Sequence, residues 1–343
     1  MQYGSYTIVV EVICSFAIAT NILLIYVFVC CPLRTLVTYK YFFMLTVIQD
    51  LISAICFFLL APKAISYDFT FMFVSTGMGC MWSIGPSMLM LYSITFVSSI
   101  ILVTNNFVYK YIQLCMPSFL QIYWSPKWLV IIVAINAAIV LNWIAMSTFC
   151  GWPSAGFIHF VTEYGLNVLH FDLRNSTFMG ISMKYGLTPV TLSLLIEALL
   201  LVLVLGGIGL LCAMNIHLCL KQNSMSTRTR RMHRQMLTLL LLQTGCPLLL
   251  LHAPLYTMYA LLFTGATSPE ILNYVIGILM ALFPFVCPMI TLTFMKDYRN
   301  FLLIKLFLRK MQRTDTSTII LKKGIDNGKP VFVVPRTITR ISV

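Results

Sequence analysis

Charge is what this sequence has least of. Asp, Glu, Lys and Arg make up 10% of its 343 residues, where a soluble globular chain carries roughly a quarter, so a soluble enzyme, a secreted disulfide scaffold and a disordered chain are all excluded. Acidic residues are the scarcer sign, 10 against 23 Lys and Arg. The windows 12–33, 69–109, 128–162, 198–220, 235–269 and 271–295 hold no charge at all, and 41–62 is broken only by Asp50. The chain also lacks H-E-x-x-H, G-x-S-x-G, a phosphate-cradling Gly-Lys loop and any paired Cys/His spacing, so neither catalysis nor a metal or other cofactor is expected. No internal repeat of the kind found in secondary transporters is visible. No basic stretch precedes the first apolar run, which is therefore expected to be an uncleaved helix and not a signal peptide.

What the sequence has is apolar length: 59% of residues are hydrophobic, and the mean hydropathy is +0.91. A helix needs about 20 mainly apolar residues to cross a bilayer core. The windows predict seven crossings, at Tyr6–Val29, Tyr41–Leu60, Cys80–Tyr109, Trp128–Phe149, Leu187–Leu211, Met236–Phe263 and Ile271–Phe294. The expected fold is an all-α, seven-transmembrane helix bundle over 1–310, with an amphipathic helix at 298–310 and a polar cytoplasmic tail at 311–343. In the third window, Gly77, Gly79, Gly85 and Pro86 point to a loop leading into a single helix. With the N-terminus outside, 20 of the 23 basic residues fall on inner segments, leaving Lys63, Arg174 and Lys184 outside; retention of Lys and Arg on the cytoplasmic side makes this the expected orientation. The sequon Asn175-Ser176-Thr177 then lies in the longest external loop, where Asn175 is open to glycosylation. Cys80 and Cys150 are the cysteines placed at external helix ends. They would either form a stapling disulfide or both stay free, as cysteines in apolar segments commonly do.

Short motifs add to the architecture. Leu36-Val37-Thr38-Tyr39-Lys40-Tyr41, then Pro62 and Ser66-Tyr67, then Asn106-Phe107-Val108-Tyr109-Lys110-Tyr111 occur in order along the chain. They are followed by Tyr164-Gly165-Leu166-Asn167, by Arg234-Gln235-Met236 with Gln243-Thr244, Pro247 and Pro254, by Pro284 and Pro288, and by Lys296-Asp297-Tyr298-Arg299-Asn300. In order and spacing this set resembles the nematode serpentine chemoreceptors of the Str superfamily, closest to the str class, over residues 20 to 305. It departs from that pattern at Asn106, Lys110 and Cys287. The resemblance implies a G-protein-coupled chemosensory receptor that binds a small odorant or pheromone within the bundle and activates a heterotrimeric G protein. It further implies a multi-pass plasma-membrane protein of the sensory cilium, with lipid around it. A small-solute transporter is the rival reading. The inner basic loops flank spans without interleaved aromatics, so no nucleic acid partner is expected.

Ionisable groups inside a membrane are costly and usually face the bundle interior, which singles out Glu11, Asp50 and Glu197. Glu11 lies near the outer interface and is expected to reach the headgroups. Asp50 and Asn21 fall at similar depth and are expected to form a polar network or a packing pair. Glu197 and His252 both fall near midplane on neighbouring spans, where contact would line a pocket or hold the two helices together; the alternative is a protonated Glu197 bonded to a local carbonyl. The pocket expected of a seven-helix receptor would be lined by Trp82, Ser87, Met90, Tyr256 and Tyr274 together with Glu197 and His252, with methionines making it compliant. Pro247, Pro254, Pro284 and Pro288 remove backbone donors and mark hinges or static kinks. Tyr109, Lys110 and Arg234 are the expected G-protein contacts.

Overall fold

The computed structural model describes residues 4–30, 37–78, 84–123, 125–152, 155–167, 177–184, 188–222, 227–295 and 298–305. Its helices follow the apolar windows: α1 (Ser5–Cys30), α2 (Val37–Leu60), α3 (Gly85–Cys115), α4 (Pro117–Tyr123), α5 (Pro126–Gly151), α6 (Ala155–Asn167) and α7 (Pro189–Gln222). The sixth span is α8 (Thr227–Pro247), a π-helical turn (Leu248–His252) and α9 (Ala253–Thr264); α10 (Glu270–Phe294) and a short helix α11 at 298–305 complete the chain. Seven helical stretches, α1, α2, α3, α5, α7, α8–α9 and α10, are long and apolar enough to cross a membrane. The expected crossings are therefore present, with several ends extended; α3 runs to Cys115 and α7 to Gln222. The third window does resolve into one helix, opened by Pro86 in its first turn, where a missing N–H costs no intrahelical bond. The proposed amphipathic segment is helical as far as 305; 306–310 and the tail lie outside the described residues.

The connecting segments hold something that an all-α reading omits. Strands β1 (Pro62–Tyr67), β2 (Thr70–Ser75) and β3 (Phe178–Ser182) form an antiparallel sheet in the order β1-β2-β3. Side chains alternate across it with period two. Ala64 and Phe71 join the bundle core, while Ile65, Met72 and Val74 pack with Phe157 and Val161 of α6 on the other face. The sheet thus roofs one end of the bundle and is itself covered by α6.

The roof is tied down from three sides. Lys184 Nζ pairs with Asp68 at 2.6 Å, and Ser268 Oγ accepts from the Ser66 N–H at 2.9 Å. Lys63 meets Glu270 at 3.5 Å and lies 4.6 Å from the ring centre of Tyr274. Gly180 pairs with Met72 in the middle of the β2–β3 ladder. A Cβ there would strike the Phe71 carbonyl oxygen and stand 2.7 Å from Met72 Cα. Gly180→Val is therefore expected to push β3 off the hairpin at a cost of about 1–3 kcal/mol. Hydrogen exchange over 178–182 should rise in that variant, and wild-type protection would show that the close approach is dispensable.

Candidate functional site

Beneath the sheet lies a cavity of about 110 Å³. Leu89, Tyr92, Ser93 and Phe96 of α3 form one wall, Trp143, Met146, Ser147 and Gly151 of α5 a second, and Leu255 and Tyr259 of α9 with Met280 of α10 a third. Phe71, Phe73, Met179, Gly180 and Ile181 close the top. Three methionines give it the deformable lining expected from the composition. Three of its polar groups sit together: Trp143 Nε1 donates to Ser93 Oγ at 2.9 Å, and Ser93 Oγ and Ser147 Oγ are 3.1 Å apart; Tyr92 and Tyr259 add a hydroxyl each to the lining residues.

Among the described residues, none of those expected to line a pocket lines this cavity. Leu89, Tyr92, Ser93 and Phe96 make up the inward stripe of α3, which leaves Ser87 exposed and Met90 off the wall; Trp82 lies outside the described residues. Tyr274 belongs to the roof anchor, donating to Glu270 at 2.7 Å and stacking on Tyr6 at 5.4 Å. Tyr256 stands 6.3 Å from His252, ring to ring, outside the cavity wall. The expected Glu197 to His252 contact is corrected: Glu197 is on an exposed face of α7 and accepts from Asn142 of α5 at 3.0 Å. The Glu197 carboxylate turns to α5, whereas the His252 ring turns to Phe96 of α3. Cys150 carries a free thiol aimed at the Thr191 carbonyl, 3.5 Å away, so the stapling alternative is not seen at that residue. Cys80 and Asn175 lie outside the described residues. Glu11 is half-buried, and its Oε1 is enclosed without a hydrogen-bond partner among the described residues.

His252 instead ends the π-helical turn, its Nδ1 2.9 Å from the Pro247 carbonyl oxygen. Its ring lies 5.5 Å from Phe96, which lies 5.7 Å from Trp143. A row of rings therefore runs from the cavity wall to the irregular turn between Pro247 and Pro254. Such π-turns are local departures from the α ladder and mark points where a helix bends.

Below the cavity, Asn21 and Asp50 are buried but not bonded to one another. Asn21 Nδ2 donates to Ala17 O and to Pro284 O, each at 2.8 Å. Pro284 O is four residues before Pro288, whose missing N–H leaves that carbonyl without its helical donor. Asp50 faces a space of about 10 Å³ with Gln243, Cys287 and Thr291. Gln243 donates to Thr291 Oγ1 at 2.9 Å, linking α8 to α10. At the end opposite the sheet, Tyr109 and Lys110 are 3% and 1% exposed, which corrects their expected role as surface contacts in this state. Tyr109 packs into an apolar cluster with Phe28, Phe43, Leu239 and Tyr298 and lies 5.8 Å from Tyr123 of the α4 turn that folds beneath it. The side chain of Arg234 lies outside the described residues.

A seven-span bundle with a roofed internal cavity and a closed opposite end has a counterpart in sequence. The Serpentine type 7TM GPCR chemoreceptor family Str matches residues 6–303. The chain belongs to that family. Among its relatives, the G-protein coupled receptor str-33 of Caenorhabditis elegans is 25% identical over 338 residues, covering 95% of this chain and 93% of its own length. Serpentine receptor class r-10 of Caenorhabditis briggsae is 22% identical over 236 residues, covering 66% and 68%. As a Str receptor the chain is a multi-pass membrane protein of a chemoreceptor class, not of an enzyme family. The cavity residues of this Str receptor were missed because α5 is apolar almost throughout, while α3 carries Ser87, Ser93, Thr95, Ser98 and Ser99 on several faces, so no single polar stripe marks which face turns inward. One signal was available: Ser93 and Ser147, with Trp143, are polar groups near the sheet-side ends of two spans.

Proposed function

We propose that this Str receptor detects a small molecule in the cavity between α3, α5, α9 and α10 and activates a heterotrimeric G protein at the opposite end. The observation that carries the reading is the cavity itself: a mainly apolar cleft under the sheet with a few polar groups, as small-molecule sites between bundle helices are. The arrangement around it supports a resting state. The row Trp143, Phe96, His252 leads to the π-turn of the sixth span, and the Tyr109 and Tyr298 cluster fills the end where a G protein would dock. In receptors of this build, the inner end of the sixth span moves outward on activation.

The orientation follows from charge. The N-terminus and the sheet face outside, and the basic 20 of 23 Lys and Arg face the cytoplasm, where each attracts anionic lipid by about 1 kcal/mol. The ligand is an odorant or pheromone, the membrane is that of a sensory cilium, and Asn175 carries the glycan. Purified receptor given agonist should accelerate GTPγS uptake by a Gα subunit, agonists being found by a calcium or cAMP response screen of expressing cells. Ligand-dependent flux into liposomes with no G protein, and no GTPγS response, would replace this reading with a transporter.

A further inference from the structure

Trp143, Ser93 and Ser147 hold three polar protons between them: the indole N–H and two hydroxyl protons. The two contacts they make, Trp143 to Ser93 at 2.9 Å and Ser93 to Ser147 at 3.1 Å, use two. Whichever serine donates to the other, one hydroxyl proton is left over. Helical serines and threonines usually return that proton to the carbonyl four residues back. Ser15 does so to Glu11 at 2.8 Å and Thr148 to Ile144 at 2.8 Å, but neither Ser93 nor Ser147 makes such a bond among the described residues. Both serines line the cavity, and Ser147 is only 3% exposed. No Asp, Glu, Lys, Arg or His lines it among the described residues, so nothing there would compensate a ligand charge brought out of water.

We infer that the cavity selects a neutral, compact, mainly apolar molecule carrying one hydrogen-bond acceptor, a carbonyl, ester or ether oxygen, which takes the spare hydroxyl proton of the Ser93–Ser147 pair. The inference rests on the cavity being the ligand site. An acceptor satisfies the leftover donor, whereas an isosteric hydrocarbon covers it and leaves it unpaired. Carboxylates and ammonium groups are excluded by desolvation without a counter-charge.

The test uses the full chain, purified in lipid nanodiscs, with the rise in unfolding midpoint read against probe concentration. Cyclohexanone is compared with methylenecyclohexane, which has the same shape with CH₂ in place of oxygen, and with cyclohexanecarboxylate and cyclohexylammonium. Cyclohexanone should bind about tenfold more tightly than the alkene, the equivalent of one hydrogen bond, and the two ions should not bind. Ser93→Ala with Ser147→Ala should bring the neutral probes level by weakening the ketone alone. Met146→Trp, which fills the cavity, should abolish both shifts. Equal binding of ketone and alkene to the wild type, or tighter binding of either ion, overturns the inference while leaving the cavity as the ligand site. Binding of neither neutral probe, or a shift that survives Met146→Trp, overturns both.

Discussion

Asn21→Leu is expected to destabilise the receptor by about 1–3 kcal/mol, the cost of leaving a buried polar group without a partner. Asn21 Nδ2 reaches across from α1 to Pro284 O on α10, 2.8 Å away, and Pro288 has removed the donor that the α-helical ladder would have offered that carbonyl. In hydrocarbon there is no water to replace a lost partner. Leucine keeps the branched outline of asparagine without its donors, and any packing cost of its bulkier methyl groups would appear in both backgrounds of the cycle below. A thermal-unfolding series in nanodiscs would measure it. The decisive comparison is a double-mutant cycle with Pro288→Ala, which restores a backbone N–H at the position α-helical geometry assigns to Pro284 O. In that background Asn21→Leu should cost much less than it does alone. Equal costs in the two backgrounds would show that the asparagine acts through something other than this carbonyl.

His252→Ala is expected to separate detection from signalling. His252 closes the π-turn through its 2.9 Å contact with Pro247 O and meets Phe96 of the cavity wall at 5.5 Å. It does not itself line the cavity. Removing the ring takes away a side chain that joins the wall to the bend of the sixth span. Residues placed between two coupled sites change coupling by roughly 0.5–2 kcal/mol, so agonist-stimulated GTPγS uptake should fall by about tenfold while agonist affinity changes little. His252→Phe, which keeps a ring and loses the nitrogen, and His252→Asn, which keeps a hydrogen-bonding group and loses the ring, would assign the effect to one contact or the other. A loss of signalling matched by an equal loss of affinity would place His252 in the binding site instead.

The spans were legible because the bilayer imposes a single strong rule, about 20 apolar residues per crossing, and α1, α2, α5 and α10 fall within a few residues of their expected bounds. The prolines of the sixth and seventh spans were legible too, although their chemistry was not. That Pro288 frees a carbonyl follows from its position, but that Asn21 answers it depends on how α1 packs against α10. Strand β2 was hidden because 69–109 is charge-free throughout, and strand and helix then look alike by hydropathy. Ser66 and Tyr67 entered only as a family motif, whereas in the fold they lie on β1, with Ser66 anchored to Ser268. Facing direction was the least legible property. Counting along the spans set Glu197 against His252, and Ser87 and Met90 lie within a turn of Leu89 and Tyr92, yet in an apolar solvent hydropathy does not fix the rotation of a helix.

The order of the roof strands constrains how such a receptor can be made. Strands β1 and β2 emerge from the ribosome after two spans, but β3, their partner at Phe178–Ser182, follows the fourth, and the walls from α9 and α10 come last. Because chains fold from the N-terminal end as they are synthesised, the hairpin must wait uncovered through two further insertions before it gains its third strand. A nascent receptor therefore has no cavity to offer, and any ligand that rescues a weakened variant can act only on the finished chain.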